Sequence, residues 1–173
     1  MREFVALEVG GSDGGERAPQ HLTLRFLGEV APERNDRLAE RLSGVARAHR
    51  PFTIRLEGVG AFPSPARPRV VWVGVTAGRS ELVALADAVR AALEPEFGRA
   101  AEPFVPHLTL WRVRSPADRA AALELLGGHR PAPSPRDVEV RELLLKESRL
   151  GAGGAVHRTV RAFPLEAPRA APP

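Results

Sequence analysis

The chain has no cysteine and no tyrosine, only one methionine, and a single lysine, Lys146. Without cysteine there can be no disulfide, no thiolate metal site and no thiol nucleophile. Aromatic residues make up 5% of the 173 positions. No apolar run reaches the length of a membrane span, and the opening Met1-Arg2-Glu3-Phe4-Val5-Ala6-Leu7 reads as a strand, not a signal peptide. These features suit a cytoplasmic protein. The charge is arginine's: the net value is +4 and the pI about 11.0. A basic chain suits anionic partners, and guanidinium suits phosphate, although arginine, alanine and proline are abundant throughout and basicity alone carries little.

The residues present are most informative at His21-Leu22-Thr23-Leu24 and at a near copy half a chain later, His107-Leu108-Thr109-Leu110. Each lies in an alternating run, Gln20 to Gly28 and Val105 to Val113, the pattern of a half-buried strand. Alternation puts His and Thr on one face and the two leucines on the other, towards the core. Two such strands suggest one site made of two halves. A pair of histidines can serve as general base and general acid on one phosphodiester, while threonine hydroxyls donate to the non-bridging oxygens where charge develops. That scheme calls for no metal and no cofactor. Gly10 and Gly15 have the glycine spacing of a phosphate-binding loop, but Glu16 and Arg17 follow, so that motif fails.

Along the chain the pattern predicts a strand over Arg2–Val9, a flexible loop at 10–15, the first histidine strand, and an amphipathic helix over Pro32–Arg50 with Leu38, Leu42, Val45 and Ala46 as its buried stripe. Phe52–Val59 reads as a strand and Gly60–Pro68, with three prolines, as a loop. Val70–Val75 reads as a central strand. Ser80 is the expected cap of a second helix to about Phe97, stopped or kinked by Pro95. Ser115-Pro116 starts a third helix ending at Gly127-Gly128, and Asp137–Glu147 and Ala155–Leu165 are closing strands. The fold class is therefore α+β. Two similar antiparallel sheets, each backed by helices, form a single bilobal domain over residues 1–166 with a central cleft carrying both motifs, and a disordered tail follows from Ala167.

His21–Gly28 and Pro103–Arg112 resemble the two signature segments of the 2H phosphoesterases, and within them the RNA 2′,3′-cyclic phosphodiesterase branch, historically called 2′-5′ RNA ligase. Phe4–Leu7, Val71–Val75 and Phe163–Leu165 also fit, so the likeness covers most of the chain. It implies hydrolysis of a terminal 2′,3′-cyclic phosphate on RNA, or on cyclic nucleotides, to a 2′-phosphate, with a weak 2′-5′ joining activity. By the same likeness His21 and His107 are the catalytic pair, Thr23 and Thr109 are phosphate ligands, and Arg112 binds phosphate or pins the loop. We assign His107 as base and His21 as acid, although the two motifs are nearly interchangeable. Arg25 is a second candidate for the cleft. The segment before His21 is shorter than in most members, and the family's late tyrosine is missing, with His157 near its place and a candidate substrate contact. Phe26 and Trp72 could stack on a base but read better as core. His49 suits a helix end and His129 a solvated loop. Other readings are a non-catalytic binder of RNA ends and a relative acting on a different cyclic phosphate, such as an ADP-ribose cyclic ester. A monomer is expected.

Overall fold

A computed structural model of the chain describes residues 2–10, 21–151 and 154–166. The strands are β1 (Arg2–Glu8), β2 (His21–Glu29), β3 (Phe52–Ser64), β4 (Arg67–Ala77), β5 (His107–Arg112), β6 (Arg136–Val140), β7 (Glu142–Gly151) and β8 (Gly154–Pro164). The α-helices are α1 (Asn35–Arg47), entered through a short 3-10 turn at Pro32–Arg34, α2 (Arg79–Phe97) and α3 (Pro116–Leu126). The strands form two antiparallel sheets of four, in the orders β2-β1-β7-β8 and β5-β4-β3-β6. Each histidine strand is an edge strand, and β2 and β5 approach each other within 8 Å between Cα atoms. Antiparallel pairing and helical backing match the two-sheet α+β expectation.

The helices cover one face of each sheet. Apolar residues of both sheets join α1 and α2 in one continuous core that includes Val5, Leu7, Leu22, Leu38, Leu56, Val73, Leu85, Leu108 and Leu145, while Ala122 and Leu125 of α3 pack on Val71 in a smaller cluster. The helices α1 and α2 pack on each other and are tied by Arg41, whose Nε lies 2.8 Å from Glu96 Oε1 and whose guanidinium donates to Ala92 O. A capping box starts α3: the Ser115 hydroxyl accepts from the Asp118 N–H, and the Asp118 carboxylate accepts from the Ser115 N–H.

Four local expectations are corrected. The Pro-rich stretch from Gly60 is strand, not loop, as far as Ser64, because β6 pairs with β3 only from Phe52 to Leu56. Beyond that point β3 has a neighbour on one side, where a proline needs no N–H partner on the other. The cap of α2 is Gly78, not Ser80. Its φ is +66°, and a Cβ there would collide with the Thr53 carbonyl. Pro95 neither stops nor shortens α2 at its own position, and the helix runs two residues further. The strand predicted over Asp137–Glu147 breaks at Arg141, sending β6 to one sheet and β7 to the other. The loop predicted at 10–15 lies outside the described residues beyond Gly10, as does the tail from Ala167.

Candidate active site

In the first sheet Leu22 and Leu24 are buried on the helix side, and His21 and Thr23 are half-buried on the other. The second sheet repeats this: Leu108 is buried, His107 and Thr109 are half-buried. Both motifs also carry a β-bulge at the same position. The pairing steps from Ala6↔Thr23 to Val5↔Arg25, leaving Leu24 extra, and from Trp72↔Thr109 to Val71↔Trp111, leaving Leu110 extra. A bulge inverts the alternation that follows it.

That inversion decides two of the arginine and aromatic assignments. Arg25 shares the core side with Val5. It is 6% exposed, and its guanidinium donates to Arg90 O within α2 at 2.7 Å and to Gly98 O at its C-cap. The proposed cleft role of Arg25 is therefore withdrawn. Phe26, which read as core, is instead 68% exposed and stands on the His21 side, 5.9 Å from the ring of Phe4, itself 5.0 Å from His21. Arg112 takes the place in β5 that Phe26 takes in β2. It is exposed and near enough to His107 to disfavour a charge on that ring.

Around His107 the sheet supplies Phe62, edge-on at 5.0 Å, and Trp72 at 6.4 Å. Trp72 is half-buried and lies flat over Gly60, where any Cβ would enter the indole. Its ring thus lines the histidine side and is not part of the core. One ring nitrogen of His107, Nδ1, lies 2.7 Å from Val105 O, so it carries a hydrogen and donates. That fixes the neutral tautomer and leaves Nε2 with its lone pair. Burial lowers the pKa of His107, the carbonyl contact opposes this, and Arg112 adds to the lowering.

Around His21 the neighbours are Phe4, His157 and Lys146. Burial first, then His157 and Lys146, push the His21 pKa down to about 4. Lys146 is 6% exposed, with Nζ 3.1 Å from Thr159 Oγ1 and 3.4 Å from Glu8 Oε2. The sequence reading gives no site role to Phe4, Phe62 or Lys146. The one available signal was a lone lysine beside the apolar run Leu143-Leu144-Leu145. His49 bonds the Val45 carbonyl through Nδ1 at the end of α1, as its position suggests. Among the described residues no three His, Asp or Glu side chains converge to hold a metal ion, and no helix is long and apolar enough to cross a membrane.

The two edge strands thus bring two imidazoles and two hydroxyls to the uncovered faces of adjoining sheets, with an arginine and an exposed phenyl ring beside them. Comparisons with known proteins agree with this construction. A family model described as the 2′-5′ RNA ligase superfamily matches residues 2–151. The chain is 39% identical over 155 residues to an RNA 2′,3′-cyclic phosphodiesterase of Archaeoglobus fulgidus, covering 90% of this chain and 85% of that one. It is 40% identical over 141 residues to one of Aeropyrum pernix, covering 81% and 78%. Among solved structures, TT0787 of Thermus thermophilus superposes with a TM-score of 0.72 at 27% identity, over 95% of this chain and 98% of that one. LigT of E. coli complexed with 3′-AMP superposes with a TM-score of 0.69 at 27% identity, over 95% and 97%. The chain belongs to the 2′-5′ RNA ligase superfamily, the 2H phosphoesterases.

Proposed function

We propose that the chain hydrolyses the 2′,3′-cyclic phosphate at RNA ends to a 2′-phosphate, with His21 and His107 moving the protons. The observation that carries this is the meeting of two bulged His-Leu-Thr-Leu edge strands from separate sheets. The names of the relatives above supply the substrate. His107 is the base: its Nδ1–H is held by Val105 O, and its lowered pKa leaves Nε2 free of a proton near neutral pH. Nε2 takes a proton from water as the water oxygen bonds to phosphorus. The bond from phosphorus to the 3′ oxygen breaks on the opposite side, and His21 returns a proton to that oxygen. Because His21 is neutral in the empty site, its proton arrives with the anionic phosphate, which offsets the pressure from burial and from Lys146.

Thr23 and Thr109 donate to the non-bridging oxygens, and Arg112 balances their charge. The exposed ring of Phe26 offers a face for the terminal base. A 5′ hydroxyl in place of water gives the 2′-5′ joining reaction with the same proton transfers. All these groups come from one chain, which suits a monomer, and an RNA substrate suits a cytoplasmic setting.

The test is product analysis after incubation with a nucleoside 2′,3′-cyclic phosphate and with an oligoribonucleotide ending in one. A 2′-phosphate is expected from both. Binding without turnover would make the chain a holder of RNA ends, and turnover only of an ADP-ribose cyclic phosphate would move it to another substrate.

A further inference from the structure

His157 and His21 stand on opposite edges of the first sheet, β8 and β2, with two strands between them. Their ring centroids are nevertheless only 4.8 Å apart, at an interplanar angle of 77°. The sheet must therefore curl until its edges meet over the ring of Phe4, which is 5.0 Å from His21 and 5.2 Å from His157. His157 pairs with Ser148, opposite Arg2 at the very start of β1, so the β7–β8 hairpin reaches past β1 as it bends over the site. Curling a sheet edge inward sets an exposed, ionisable ring directly beside the imidazole that handles the leaving group.

A second observation lies behind that ring. Thr159, two residues along the same strand, accepts from the ammonium of Lys146, which is nearly inaccessible and also meets Glu8. Burying a lysine is costly unless something is gained from its charge. Here the charge sits on the His21 face, close enough to act on His21 and His157 alike. Lys146 thus holds an ammonium, partnered by Glu8, behind the His157 ring on the side where a phosphate must bind.

We infer that His157 is a third substrate-binding histidine, donating a hydrogen bond to a phosphate oxygen of the molecule held by His21, with Lys146 as the fixed charge behind it. The two rings meet edge-on, so an anion held by both lies beside them and not between them. This rests on the reading of the cleft as a phosphodiesterase site, but it concerns binding and is separable from turnover. His157 moves no proton in the reaction. It tightens the grip on the anion, and the ring–ring contact keeps His21 in its orientation.

The test uses the full chain and inorganic phosphate, with turnover of a nucleoside 2′,3′-cyclic phosphate as a parallel readout. His157→Phe keeps an aromatic ring against His21 and Phe4 but removes the donor. It is expected to weaken phosphate binding about tenfold, the scale of one charge-assisted hydrogen bond. KM should rise by a similar factor while kcat stays within about threefold. His157→Gln, which restores a donor, should recover part of the affinity, whereas His129→Phe, outside the site, should change nothing. In the unsubstituted protein the imidazole resonances of His157 should move on phosphate saturation, a readout that survives if a variant does not fold. Unchanged phosphate affinity in His157→Phe, equal behaviour of the Phe and Gln variants, or unmoved His157 resonances would overturn the inference. If cyclic nucleotides are not hydrolysed but phosphate binding still depends on His157, the phosphodiesterase reading fails and this one stands.

Discussion

At the scale of single residues, the site divides into groups that move protons, groups that hold phosphate and one group that does neither. Each proton transfer contributes roughly 10²–10⁴ in rate, so His21→Ala and His107→Ala are each expected to bring kcat close to background. Thr23→Ala and Thr109→Ala should cost on the order of 10–10³, as for loss of one donor to a developing oxyanion. The arginines separate by assay. Arg25→Ala removes the buried guanidinium that bonds the Arg90 and Gly98 carbonyls, and should destabilise the fold by about 1–3 kcal/mol with little change in KM. Arg112→Ala should raise KM and leave the melting temperature unchanged. Strict alternation, taken without the family likeness, suggests the reverse emphasis. Strict alternation from His21 puts Arg25 with the catalytic ring, and strict alternation from His107 puts Arg112 with the leucines. The histidines and threonines were legible because they precede the bulge, and the arginines were not because they follow it.

At the scale of elements, the bulges, the curl and the broken strand are pairing events, and pairing is what a single sequence shows least. Leu24 and Leu110 become extra residues only against β1 and β4. Likewise Arg141-Glu142 interrupts the alternation of 137–147 with no glycine or proline to signal a break, yet the chain changes sheets there. Two consequences can be measured. Gly60 lies beneath the indole of Trp72, so Gly60→Ala should displace that ring from the His107 side. The expected signature is a shift in tryptophan fluorescence together with a loss of about 1–3 kcal/mol, the range for overpacking. On the opposite face of the first sheet, Glu3 pairs with Glu147 and both are buried. Burial, with the neighbouring carboxylate, holds the Glu3 pKa above its ordinary value. A raised carboxyl pKa means the folded state keeps a proton that the unfolded chain releases, so stability drops as pH rises from about 4.5 through the folded value. Glu3→Gln is therefore expected to raise the melting temperature at pH 8 more than at pH 5, and equal gains at both would contradict this.

At the scale of the whole molecule, the two sheets share one core and differ in what they place beside their histidines: Phe4, His157 and Lys146 in one, Phe62, Trp72 and Arg112 in the other. The motif-bearing halves and the two-sheet layout were readable because local periodicity carries them. The contact between the outer edges of the first sheet was not, since it depends on curvature built up over four strands. The asymmetry has a pH consequence. His21 is depressed from 6.5 to about 4 by burial, His157 and Lys146, so the folded state binds fewer protons than the unfolded chain between those values. Its contribution to stability is complete above about pH 6.5 and is lost as pH falls towards 4. A bound phosphate anion should restore the proton, so phosphate should protect against unfolding more strongly at pH 6 than at pH 8. Equal protection at both would show that binding takes up no proton, and with it that His21 is not the acid.

The most direct test of the account is single-turnover hydrolysis of an oligoribonucleotide ending in a 2′,3′-cyclic phosphate, with the products resolved, for the unsubstituted chain and for His21→Ala and His107→Ala. The account predicts a 2′-phosphate terminus from the unsubstituted chain, at a rate unchanged by EDTA, and near-complete loss in each variant. A 3′-phosphate product, activity that vanishes with chelator and returns with a divalent ion, or full activity in either variant would contradict it.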